Sequence, residues 1–261
     1  MQRTLEFPVL LGLIDERSVA FRAAVMSAPG LDLQVPTCPE WTLLDLVQHL
    51  GEVHRFWAAA VNVGPADAPP AESAPENVEA TPREREALLA WSAASTRQLL
   101  DALREAGPDR GCWTWWGASQ SPQTSGAVAR HQLQEVAVHT YDAQVTLGAP
   151  QPLPDQAALD GVEEFLSTCV AWARPWPHEA AIVDFHVTEG RSWRLSLCAD
   201  GARAARLPVA AGQGPDAAAA SARGTANEVV LVLYDRIPID SLQIEGDRRL
   251  FDLLRAWDSD E

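Results

Sequence analysis

Along the first two-thirds of the chain, apolar residues recur every three to four positions, the spacing that gathers them on one face of an α-helix. Over residues 6–28 that stripe is carried by Val9, Leu10, Leu13, Ile14, Phe21 and Val25. The two prolines of VPTCPEW forbid continuation, and Thr42, with Asp45 three residues on, is placed to cap a second helix. This helix reads through LLDLVQHLGEVHRFWAAAV to about residue 63, with Leu43, Leu46, Leu50, Val53 and Trp57 toward a core. Residues 64–80 are rich in proline, alanine and acid and read as a surface loop. Thr81-Pro82-Arg83-Glu84 then has the form of a capping box with proline at the first helical position, opening a third helix to about residue 105. A tryptophan-crowded turn, GCWTWWGAS, precedes a fourth helix over about 123–147 that stops at Gly148-Ala149-Pro150. A fifth runs from about 155 to 173 and breaks at Pro175-Trp176-Pro177.

Beyond that break the period shortens to two. AAIVDFHVT and SWRLSLCA alternate around Glu189-Gly190-Arg191, a β-hairpin pattern, and ARAARLPVA could add a strand. TANEVVLVLYDR and GDRRLFDLLRAW return to helical spacing on either side of a strand-like LQIEG. The expected architecture is α plus α+β: a helical bundle over 1–177 and a small α+β unit over 178–261. No fixed-period repeat is visible.

Composition narrows the function. A chain of 261 residues with 47% apolar content can bury one large core or two modest ones. The net charge of −16 argues against nucleic acid and against a polybasic membrane patch, since both need a basic face. No 18-residue apolar run offers a membrane span. The opening MQRTLEFPVLLGLIDER reads as a helix start and not a signal peptide, so a cytoplasmic enzyme is expected. Every one of the 20 basic residues is arginine, which excludes Schiff-base and P-loop lysines and, with abundant alanine and proline, points to a GC-rich genome. Four scattered cysteines, Cys38, Cys112, Cys169 and Cys198, contain no CxxC pair and do not read as a disulfide framework. Nothing in the pattern fixes an oligomeric state.

One constellation carries chemistry. Glu135 and His139 stand four apart on the fourth helix and share a face, with His131 a turn further back on the same stripe. A carboxylate and an imidazole so spaced can grip a metal ion, although such pairs usually mark a solvated face. Here Val136, Ala137 and Val138 separate the two, and the helix has few charges to make a wet face. A third ligand would come from another helix. His49 borders the apolar face of the second helix, where a lone histidine is ordinarily a core residue, and His54 follows one and a half turns later.

Three motifs, in order, resemble the mycothiol-dependent maleylpyruvate isomerase family of the wider DinB-like group. They are VPTCPEWTLLDLVQHLGEVHRFW, then QEVAVHTYDAQ against the family's HE-x-x-x-H-R-W-D-A, then RGTANEVVLVLYDRIPIDSLQIEGDRRLFDLL, which is similar to a C-terminal domain of sterol-carrier-protein-like build. The resemblance implies a DinB-like four-helix bundle with metal ligands at His49, Glu135 and His139. It also implies zinc or another divalent ion, and mycothiol as the thiol cosubstrate of a small-molecule reaction. Arg236 aligns with a family arginine that could fork a substrate carboxylate, the alternative being an arginine serving its own helix end. His131, His54, Trp115 and Tyr141 are candidates for the pocket wall or for backing the ligands, and Cys38 sits in a family structural motif. Departures fall around the ligands: Gln134 where histidine is frequent, Thr140 for arginine and Tyr141 for tryptophan. The expected activity is isomerisation or S-transfer on a small acidic or electrophilic substrate. The alternatives are a non-enzymatic small-molecule or lipid binder, suggested by the carrier-like C-terminal unit, and a hydrolase using zinc-bound water.

Overall fold

The four longest apolar-periodic stretches fold as the four longest helices. A computed structural model describes residues 5–70, 81–171, 174–208 and 217–258. In it α1 spans Phe7–Ser27, α2 Leu43–Val63, α3 Arg85–Ala106 and α4 Ser125–Thr146. Helix α2 packs on α3 and α4, and α1 on α3 and α4. The α1 stripe is rotated from the expected one: Leu11 is buried and Val9 faces solvent. Helix α4 is buried on most of its circumference, including Gln132, Gln134, His139, Thr140 and Asp142. Among these, His139, Asp142 and Thr140 have hydrogen-bond partners while the Gln132 amide has none among the described residues, so the C-terminal half of α4 is where a polar site can be built. Leu46, Leu50 and Leu133 are fully buried, each contributing roughly 1.5–3 kcal/mol by leaving water.

The caps decide where the helices begin. Thr42 and Asp45 form the expected box: Thr42 N donates to Asp45 Oδ2 (2.8 Å) and Asp45 N to Thr42 Oγ1 (3.4 Å). The box expected at Thr81–Glu84 does not form. Helix α3 starts only at Arg85, behind Glu84, which makes no side-chain cap. The start is set from outside, because Arg85 donates to the carbonyls of Met26 and Ala28 at the end of α1. Residues 71–80 of the expected surface loop lie outside the described residues.

The chain divides into two compact units: Met1–Trp115 with Gln123–Leu153, and Trp116–Pro122 with Pro154–Glu261. The division follows Leu153, ahead of the boundary expected near residue 177. The reason is that α5 (Asp155–Phe165) packs against α6 (Ala226–Leu233), within the second unit. Helix α5 continues into a π-helical turn, Leu166–Val170. Among the described residues five strands follow, β1 (Ala181–Val187), β2 (Ser192–Cys198), β3 (Gly201–Arg206), β4 (Ala220–Gly224) and β5 (Gln243–Gly246), with α7 at Arg249–Asp258. Their order is β3-β2-β1-β4-β5, antiparallel except for the parallel β1–β4 pair.

Strand β4 had no signal in the pattern. Its sequence, ASARG, lacks β-branched and aromatic residues, and small side chains suit it because Ala220 and Ala222 are fully buried. The short Trp116–Pro122 segment belongs to this unit through Gln120, whose side chain accepts from Ala204 N (2.6 Å) and donates to Ala204 O (3.1 Å). It thereby covers an edge strand with an amide in place of a backbone. Among the described residues no helix is long and apolar enough to cross a membrane.

Candidate metal centre

Helix α2 supplies His49 and helix α4 supplies Glu135 and His139, and the packing of the two helices brings all three together. His49 Nε2 lies 2.9 Å from Glu135 Oε1, and His139 Nε2 lies 3.2 Å from the same oxygen. The two imidazole rings meet edge to face, centroids 5.1 Å apart. Exposure is graded across the site: 33% for the His49 side chain, 19% for Glu135 and 8% for His139. Approach is therefore from the His49 side.

The inner histidine is anchored from behind. His139 Nδ1 donates to Asp142 Oδ2 at 2.8 Å, one helical turn along α4, and Asp142 is fully buried. Thr37 Oγ1 donates to Asp142 Oδ1 (2.7 Å), and the Cys38 thiol reaches Oδ2 at 3.7 Å. This network keeps a proton on Nδ1 and turns Nε2 toward Glu135, an orientation typical of metal-binding histidines. Trp41 covers the pair of imidazoles, 4.5 Å from the His49 ring and 5.9 Å from the His139 ring. Its carbonyl accepts from Val35 N (2.9 Å) and Gln34 Nε2 (2.8 Å), which fixes the loop before α2.

Electrostatics follow from this crowding. Burial by itself raises the Glu135 carboxyl, but the charge of His139 and hydrogen bonds from His139 and His49 outweigh it and hold it well below the usual carboxylate range. Burial lowers His139, yet the Glu135 charge and the Asp142 contact push it up to about 9. His54 shows the converse. It is buried with only Thr96 Oγ1 at 3.3 Å, its Nε2 has no partner, and burial drives it down to about 4 against the pull of Glu135.

Two groups among the described residues could hold a cation: His49, Glu135 and His139, and Cys38, His139 and Asp142, each with ligand atoms within 4.8 Å of one another. The second would have to use His139 Nδ1, which is already committed to Asp142. The first offers two nitrogens and a carboxylate oxygen, a donor set that suits zinc.

The other expected residues are dispersed. His131 lies between the rings of Trp57 (6.1 Å) and Trp115 (5.6 Å), one turn from Glu135, in an aromatic wall with Trp113 and Phe56. His54 faces α3 through Thr96. Tyr141 is half-buried, its hydroxyl raised by burial and by the charge of Asp142. Arg236 belongs to the second unit, where its Nη1 donates to the Tyr234 carbonyl (2.7 Å) at the end of α6. Of the departing residues, Thr140 points elsewhere, donating to Val136 O (2.6 Å) and Arg17 O (3.2 Å). None of the four cysteines is joined in a disulfide, and burial pushes Cys112 up to about 11, leaving it an inert thiol. Asp142, Thr37 and Trp41 belong to the site without being marked by the ligand spacing. Asp142 carried a signal, a carboxylate three residues after a histidine on a helix; Thr37 and Trp41 lie in a loop and carried none.

Comparison with known proteins adds a family and a fold. The family model described as the mycothiol maleylpyruvate isomerase N-terminal domain matches residues 11–144, and that described as the MDMPI C-terminal domain matches residues 156–253. No curated protein matches the chain. Among solved structures, one of the mycothiol-dependent maleylpyruvate isomerase is 15% identical with a TM-score of 0.60. A histidine-to-alanine mutant of that isomerase is 14% identical with a TM-score of 0.62. Each comparison covers 95% of this chain and 97% of the other. At such identities the likeness is one of fold.

Proposed function

We propose, for a chain that belongs to the mycothiol maleylpyruvate isomerase family, that His49, Glu135 and His139 hold one divalent cation, zinc by donor chemistry. The site then serves a thiol-dependent isomerisation or S-transfer on a small acidic or electrophilic substrate, with mycothiol as the thiol. The convergence of three ligand atoms within 4.8 Å, with solvent reaching them from one side, carries this reading. A divalent ion bound there supplies a Lewis-acid centre that keeps a coordinated thiol as its thiolate near neutral pH.

The residues of the chain do the rest. Glu135 is anionic at neutral pH, so it offers its charge without first losing a proton. Asp142 keeps His139 from rotating, and Trp41 screens both imidazoles from water on its side. Three protein ligands leave coordination positions open, as reactive centres need and structural ones do not. A thiolate that adds to an activated cis double bond and leaves after rotation returns the isomer; one that displaces a leaving group stays on the product.

The test is metal analysis of the purified chain, followed by thermal shift with mycothiol and small cis-unsaturated dicarboxylates. About one zinc per chain is expected, with a melting-temperature rise from mycothiol only in the metal-loaded form. Full thiol-dependent activity in the metal-free protein would overturn the proposal. Turnover equally fast without any thiol would shift the reading to a hydrolase using metal-bound water.

A further inference from the structure

Apart from the metal centre, the second unit contains a cavity of about 450 Å³, within the roughly 300–1,000 Å³ range of small-molecule sites. Its floor is buried and apolar, made by Leu166, Phe185 and Leu195. Its rim is apolar too but only half-buried, with Leu233, Ile237 and Leu254 facing the opening. Two local irregularities border the space. The π-helical turn places Leu166 and Val170 on the lining, and Asp235, left-handed at φ 57°, turns the chain along the rim just after α6. π-Helical turns inside helices are frequent at functional sites, and a left-handed residue other than glycine is uncommon.

The charges around the mouth discriminate among ligands. Arg255 is paired with Asp235 at 2.6 Å. Arg248 is shared between Asp240 (2.7 Å) and Asp252 (3.5 Å). The lining itself thus carries two carboxylates, Asp235 and Asp252, against one guanidinium, Arg255, in a chain whose net charge is −16. The Tyr234 hydroxyl already leans on Glu164 Oε2 (3.4 Å), with its ring against Phe165. An anionic head would meet a surplus of acid here, whereas a hydroxyl or an amine would find acceptors.

We infer that this cavity is a binding site for an apolar small molecule bearing a hydroxyl or amine head, separate from the metal centre and not dependent on it. The full-length protein, metal-loaded and metal-free, is titrated with the neutral fluorophore N-phenyl-1-naphthylamine, which is then displaced by decanol, decylamine or decanoate. Saturable binding of about one probe per chain is expected in both forms. Decanol and decylamine should compete at least about tenfold better than decanoate. Leu254→Trp and, independently, Leu233→Trp fill the rim and should each weaken the probe by about tenfold or more at unchanged melting temperature. Several results would overturn the proposal: no saturable binding, preference for decanoate, or affinity untouched in a folded rim variant. So would a wild-type dimer that Leu254→Trp converts to monomer, since the mouth would then be covered by a second copy. None of these results bears on metal content, so the two proposals fail separately.

Discussion

The seam between α2 and α4 lies between two helix faces and the cavity of the second unit lies between helices and the sheet; both leave some surface unfilled, yet they are opposites in chemistry. In the seam, two imidazoles and a carboxylate converge within 4.8 Å, backed by Asp142 and Thr37 and covered by Trp41. In the cavity the interior is apolar, and charge is confined to the mouth. The seam is demanding, because every buried polar atom needs a partner and each partner needs its own. The cavity needs only side chains that stop short of filling a space. His54 makes the same point within the bundle. It is as buried as His139 but lacks a carboxylate partner, so one histidine is pushed down and the other up.

The largest effect should separate the two regions completely. His139→Ala removes a ligand and should bring metal content below about a tenth of stoichiometric while leaving naphthylamine binding intact; elemental analysis and fluorescence check both halves. Loss of both together would mean that the regions are coupled.

The next largest concerns His54. Its folded value of about 4 is below the ordinary 6.5, so the folded state binds fewer protons than the unfolded chain. The stabilisation is therefore present above pH 6.5 and is lost as pH falls from there toward 4. Denaturant unfolding of the metal-free chain should show a loss of about 3 kcal/mol over that window from this residue. In His54→Asn that component should vanish, and an unchanged pH profile would refute the assignment.

Asp142→Asn keeps the shape behind His139 but removes the charge. Metal affinity should fall by about 10–100-fold, measured by competition with a chelator, with the naphthylamine titration unmoved. The smallest effects come from the paired caps. Thr42→Ala and Thr225→Ala each remove a capping box and should each cost about 1 kcal/mol in denaturant unfolding. Only the first should weaken metal binding, because Thr42 begins the helix that carries His49 and follows Trp41. Only the second should weaken the naphthylamine, because it begins the helix that leads into the cavity rim.

Periodicity and local capping determined much by themselves. The long helices, the 181–198 hairpin and the Thr42 cap were legible because each depends on neighbours within a few residues. So was the Glu135–His139 pair, since helical spacing puts positions four apart on one face. His49 entered through the family motif and not through spacing. What only the tertiary structure decided lies where distant segments meet. The start of α3 is set by Arg85 reaching to the end of α1, and α5 joins the second unit because α6 provides its partner surface. Strand β4 pairs because β1 and β5 lie on either side, although its own residues favour no strand. Asp142, Thr37 and Trp41 become part of the centre because the loop before α2 folds over α4, a contact spanning about a hundred residues of chain. Local pattern can say which face a side chain occupies; which other side chain it meets depends on packing between elements, which periodicity does not encode.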